Sequence, residues 1–199
     1  MKPILVLYAT REGHTRRIAE HLAATLTAHQ LSPDVIDAAQ IPRGFSLENY
    51  SAAVVSASVH LGKHESEMTK FVKRHLAELQ KIPTAFLSVS LSEAGVEDEM
   101  ASAEKRARAG ADVKRTIDAF LAQTSWRPSH VNAVAGALMY RRYNFAVRWM
   151  MKRIARQAGA PTDTSRDHEF TDFAALDQTI NEFVLSLPPP RTECGSARS

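Results

Sequence analysis

The 199-residue chain has a single cysteine, Cys194, near its carboxyl end, so no internal disulfide can brace the fold and a reducing compartment suits it. No apolar run approaches the roughly 20 residues of a membrane-spanning helix. Lys2 precedes only a short apolar stretch, so neither a signal peptide nor a transmembrane span is expected and the protein is placed on the cytoplasmic side. Walker and dinucleotide glycine patterns are missing, as is the Gly-x-Ser-x-Gly elbow of hydrolases. Asp and Glu are absent from residues 127–162, which carry Arg127, Arg141, Arg142, Arg148, Lys152, Arg153 and Arg156. Those seven leave 18 basic against 22 acidic residues elsewhere, a net of −4 in a chain whose total is +3. An acidic body thus bears one strongly cationic segment. With 44% hydrophobic and 24% charged residues, the remainder is that of an ordinary globular protein. A single domain is expected over residues 1–187, with a disordered tail over 188–199 after Pro188-Pro189-Pro190.

What is present begins with one joint. Pro3 to Ala9 reads as a strand apolar on both faces, the pattern of a central parallel strand. Ile18, Ala19, Leu22, Ala23 and Leu26 then form one stripe of a helix. Between them, Thr10-Arg11-Glu12-Gly13-His14-Thr15 offers two hydroxyls, a glycine and the free amides of a helix start. Such a joint binds a phosphate through helix-end amides and dipole without a lysine. An ordinary helix cap made by Thr10 or Thr15 would use the same residues. The pattern Thr-x-x-Gly-x-Thr resembles the phosphate loop of flavodoxin-like proteins, which hold the phosphate of FMN there.

Further strands are expected at residues 32–37, 52–57, 84–90 and 131–138, alternating with helices over about 66–79, 96–124 and 173–187. Gly110 is expected to bend or interrupt the third of the four helices. The alternation predicts an α/β, flavodoxin-like, doubly wound sheet of five parallel strands in the order 2-1-3-4-5, with a basic insertion over about 139–170 before the last helix. The ligand crevice then lies where the winding reverses. Two further loops converge there: Ser58, Val59, His60, Leu61 and Gly62 after the third strand, and Ser90, Leu91 and Ser92 after the fourth. Together with the first loop they would hold FMN, with the second and third flanking its ring. His60 and His64 share a loop without a third ligand, so no metal site is expected.

Projected as a helix, residues 144–158 place Val147, Met150, Met151, Ile154 and Ala158 on one face. Phe145 and Trp149 share the other with Arg148, Lys152, Arg153 and Arg156. A face mixing aromatics with cations and no acid is built to lie on an anionic membrane surface. Packed aromatics with solvated arginines would give the same pattern, and an acidic protein or a carboxylate-bearing substrate could use the same charges. Nucleic acid is not expected, since no binding module accompanies the patch.

Taken together, these residues resemble the bacterial flavodoxin-like, quinone-dependent protoporphyrinogen oxidases. The likeness covers residues 1 to about 187 and rests on Ala9 to Thr15, Ala57-Ser58-Val59, Ser125-Trp126-Arg127-Pro128 and Ala135-Gly136-Ala137-Leu138 with Tyr140 and Arg142-Tyr143. Thr162-Asp163-Thr164 and Phe170-Thr171-Asp172-Phe173 complete it. The resemblance implies a peripheral enzyme on the cytoplasmic side of the inner membrane, active in haem biosynthesis. It would oxidise protoporphyrinogen IX on FMN and pass the electrons to a membrane quinone. Arg141 and Arg142 are then candidates for pairing with substrate propionates. The flavin carries the redox chemistry, so the protein need supply neither nucleophile nor metal. The chain departs from the family pattern at His60-Leu61, where an Arg-aromatic pair is expected, and in its longer, more acidic segment 92–124. A flavodoxin-type electron carrier or another FMN-dependent quinone reductase is the competing class, although carriers usually present an acidic rim. The sequence leaves a homodimer open.

Overall fold

The computed structural model describes residues 2–142, 149 and 163–188. Strand β1, Ile4–Ala9, is buried along its whole length and is flanked in parallel by β2, Pro33–Asp37, and β3, Ala52–His60. The short strand β4, Lys63–His64, folds back antiparallel on the end of β3. Strands β5, Thr84–Ser90, and β6, His130–Ala135, continue the parallel sheet, whose order is β2-β1-β3-β5-β6. Counting the five long strands alone, this is the expected 2-1-3-4-5.

Alternate residues of β1 feed two cores, as the period of a strand requires. Ile4, Val6 and Tyr8 pack with α1, His14–Ala28, and with Leu176, Ile180 and Phe183 of α6, Phe173–Ser186. Leu5, Leu7 and Ala9 face the opposite layer of α2, Ser66–Arg74, α3, Leu76–Leu79, and α5, Ala103–Thr124. Met68, Phe71, Leu79, Phe120 and Trp126 fill that side. A parallel sheet covered on both faces directs every strand's carboxyl end to one rim, where the site forms.

The structure corrects four details of the sequence reading. Ser58, Val59 and His60 extend β3 instead of forming a loop, because Lys63–His64 returns to pair with them. Leu91 begins a helix, α4 (Leu91–Glu97), since the Ser90 hydroxyl accepts from the Glu93 amide and caps it. The long helical stretch breaks at residues 98–102 and not at Gly110, which lies inside an uninterrupted α5. Finally, the strand expected over 131–138 divides at Gly136. The carbonyl of Ser90 accepts from the Gly136 amide, and a Cβ on Gly136 would meet that backbone at 3.4 Å. Residues Ala137–Leu138 (β7) therefore leave the main sheet and pair with His168–Glu169 (β8) in a separate ribbon.

Candidate functional site

A cleft of about 540 Å³ opens at the carboxyl ends of β1, β3 and β5. Its volume lies in the usual range for cofactor sites. It is lined by Thr10, Arg11, Glu12, His14 and Thr15 from the first loop, by residues 58–62 from the hairpin, and by Ser90, Leu91 and Ser92. Of the fourteen residues expected to hold FMN, only Gly13 does not line it; Gly13 shapes the first loop with φ +86°, a conformation disfavoured for any side chain.

The first loop fits a phosphate. Helix α1 starts without a side-chain cap, so its leading amides keep no side-chain acceptor. The Thr10 hydroxyl accepts from the Gly13 amide at 2.9 Å and keeps its own proton to donate. Thr15 lies 1% exposed in the cleft wall, and its Oγ1 is buried without a hydrogen-bond partner. A buried hydroxyl left unpaired costs about 1–3 kcal/mol, so an anion at the helix start recovers what the protein alone forfeits.

The hairpin is tied to this loop by hydrogen bonds and an ion pair. His60 Nε2 lies 2.7 Å from Glu12 Oε2, and Arg11 pairs with the buried Glu65 at 3.2 Å. The Ser58 hydroxyl contacts the other Glu65 oxygen at 3.3 Å. His60, in place of an arginine, thus anchors the hairpin to the first loop. Leu61 and Gly62 make its two-residue turn with φ +48° and +73°, the twist that a tight hairpin prefers. Leu61 stands 83% exposed at its tip. Behind it, His64 lies against Phe86 and Phe120 and contacts the Ser88 hydroxyl at 2.9 Å. Burial lowers the His64 pKa to about 4, keeping the ring neutral.

His14 joins the loop to the base of the insertion. The Thr171 hydroxyl donates to the Ala135 carbonyl at 2.6 Å, so it accepts from His14 Nε2–H at 2.7 Å, which fixes the tautomer. On the other side, Nδ1 lies 3.4 Å from Glu169, which also pairs with Arg17 at 2.9 Å. Burial lowers the pKa of His14 against the opposing pull of Glu169.

The sequence reading missed the far wall. Asp112, Val113, Arg115 and Thr116 of α5 line the cleft, with Gly136, Ala137 and Met139 beyond them. Nothing in the helical pattern marked the α5 residues, while Gly136 and Ala137 stood in a quoted motif without being assigned to the site. Arg141 is exposed just past Met139, its amide donating to Asp167 at 2.9 Å. Trp149 is 61% exposed. The side chain of Arg142 and all of Phe145, Arg148, Lys152 and Arg156 lie outside the described residues, as does the rest of the helix expected over 144–158. Among the described residues no group of three or more side chains could hold a metal ion, and no helix is long and apolar enough to cross a membrane.

Comparison with known proteins agrees with this geometry. A flavodoxin domain family matches residues 5–165. The protoporphyrinogen IX dehydrogenase (quinone) of Escherichia coli K12 is 35% identical over 186 residues, spanning 94% of this chain and 97% of that protein. The protein of the same name from Leishmania major is 32% identical over 189 residues, spanning 93% of this chain and 77% of that one. Among solved structures, a short-chain flavodoxin associated with a bacterial microcompartment superimposes with a TM-score of 0.55 at 14% identity, covering 94% of this chain and all of that one. A Streptococcus flavodoxin gives 0.50 at 16% identity, covering 92% and 97%. The structural likenesses establish the fold, and the sequence relatives establish more: the chain belongs to the flavodoxin-domain family of quinone-dependent protoporphyrinogen IX dehydrogenases.

Proposed function

We propose that the protein oxidises protoporphyrinogen IX to protoporphyrin IX on bound FMN and delivers the electrons to a membrane quinone. The observation that carries this reading is the cleft itself, lined by the uncapped start of α1 and by Thr15, whose hydroxyl has no partner within the protein. The near full-length likeness to named dehydrogenases supports the substrate and the acceptor.

Bound FMN supplies a two-electron oxidation, used three times for the six electrons and six protons removed. The residues of this chain bind and orient it. Thr15, Thr10 and the first amides of α1 hold the phosphate, with no lysine needed. The Glu12–His60 and Arg11–Glu65–Ser58 contacts fix the hairpin relative to that phosphate, so the flank of the ring is set before substrate arrives. Val59, Leu91, Val113 and Met139 supply apolar wall that excludes water from the ring.

The quinone dissolves in lipid, and the segment carrying Phe145, Arg148, Trp149, Lys152 and Arg156 is the surface we assign to an anionic membrane. The exposure of Trp149 supports that assignment. Steady-state porphyrin fluorescence tests the whole reading: FMN-loaded protein with protoporphyrinogen IX should turn over only when a quinone is supplied. Equal rates with and without quinone would remove the proposed acceptor.

A further inference from the structure

Beside the cleft lies a second groove of about 360 Å³ that the flavin reading does not use. One wall is the face of α2 that carries Ser66, Thr69, Lys70 and Lys73, spaced i, i+3, i+4, i+7. The opposite wall is the α5 face carrying Thr116, Ala119, Phe120 and Gln123, at the same spacing. Lys63, just past the hairpin turn, closes one end, and no Asp or Glu lines the groove. Gly62 and Thr116 line both the groove and the cleft, so the two adjoin at the hairpin.

Outside the basic segment the chain is net acidic, and some of its cations pair within the structure, as Arg16 does with Glu20 and Lys114 with Asp118. Lys63, Lys70 and Lys73 make no ion pair among the described residues. The Ser66 and Thr69 hydroxyls line the same wall, while Glu67 of the first turn of α2 does not face the groove. The groove therefore offers three unpaired ammonium groups above an apolar floor, which matches an amphipathic carboxylate.

We propose that this groove receives the carboxylate-bearing edge of the tetrapyrrole, with Lys63, Lys70 and Lys73 pairing its propionates while the macrocycle reaches past Gly62 and Thr116 toward the flavin. The assignment rests on the substrate reading given above. It moves the propionate contact from Arg141 and Arg142 to the hairpin end of the cleft. Lysine suits this role, since a flexible point charge follows a propionate arm as the macrocycle changes shape during oxidation.

The test compares wild type, the triple variant Lys63→Gln/Lys70→Gln/Lys73→Gln, and Arg141→Ser, each loaded with FMN. All four positions are exposed, so the variants should fold, and an unchanged FMN affinity checks this. Two propionates shared among three solvent-facing lysines are together worth about tenfold in binding. The triple variant should raise KM for protoporphyrinogen IX about tenfold at constant kcat, and leave KM for its dimethyl ester unchanged. An equal rise for diacid and diester, no rise at all, or a rise confined to Arg141→Ser would overturn the proposal. Should wild type fail to oxidise protoporphyrinogen IX, the substrate reading falls on its own evidence. Fluorescence titration with protoporphyrin IX and its dimethyl ester then tests the groove separately: wild type must bind the diacid about tenfold tighter than the triple variant does, and equal affinities would refute the groove.

Discussion

Thr15 carries the sharpest consequence of the site. A Thr15→Val substitution keeps the shape and removes a hydroxyl that has no protein partner, so the flavin-free protein should be as stable as wild type or slightly more so. Its affinity for FMN should fall roughly ten- to a hundredfold while affinity for riboflavin, which lacks the phosphate, stays the same. Titration of both flavins by fluorescence quenching reads this directly, and equal losses for the two would dissociate Thr15 from the phosphate. His64 makes a separate prediction in pH. Burial lowers its pKa from 6.5 to about 4, so between those values the unfolded chain takes up a proton that the folded chain refuses. Stability present above pH 6.5 is therefore lost as the pH falls toward 4, by ~3 kcal/mol from this group. His64→Gln should flatten the fall in urea midpoint between pH 7 and 5. Some slope must persist, because His14 and His75 are also held below their ordinary value by burial.

Among the elements, α5 gives the clearest test. Gly110 sits in mid-helix, and a Cβ there would meet only Val96 Cγ2, at 3.9 Å. Gly110→Ala should therefore stabilise the protein by about 0.5–1 kcal/mol and raise Tm by about 2 °C in a thermal melt. A lowered Tm would mean that the helix needs the freedom the sequence reading gave it. The long strands were legible because β1 and β5 are buried on both faces: β1 reads as an unbroken apolar run, and β5 sets Ala85, Phe86, Leu87 and Val89 among small hydroxyl residues. The strand-to-helix joint at the cleft was legible because strand, Thr-x-x-Gly-x-Thr and amphipathic helix follow one another without a gap. The β3–β4 hairpin was hidden because its pairing partner is two residues long and its turn uses leucine where Asn or Gly would have signalled it. Helix α4 was hidden because its polar first turn looks like a loop until the Ser90 cap is seen. The α5 wall of the cleft was beyond the sequence altogether, since only the packing of that helix brings Asp112 to Thr116 to the rim.

At the scale of the whole molecule, charge divides the labour. The acidic body holds the cleft, and the basic segment carries Phe145 and Trp149 among its cations, the pattern behind the proposed membrane contact. Replacing both Phe145 and Trp149 with Ser should sharply reduce cosedimentation with anionic liposomes and leave FMN bound, and raised salt should weaken the wild-type interaction. Unchanged sedimentation would overturn the membrane assignment. The central claim is that a flavin in this cleft takes electrons from protoporphyrinogen IX, and anaerobic mixing reads it most directly. Purified FMN-loaded protein should bleach in its visible flavin band within the dead time of ordinary turnover when protoporphyrinogen IX is added, and recover its colour when a quinone follows. A bound flavin that stays oxidised in the presence of the substrate would contradict the account and leave an electron carrier on the same fold.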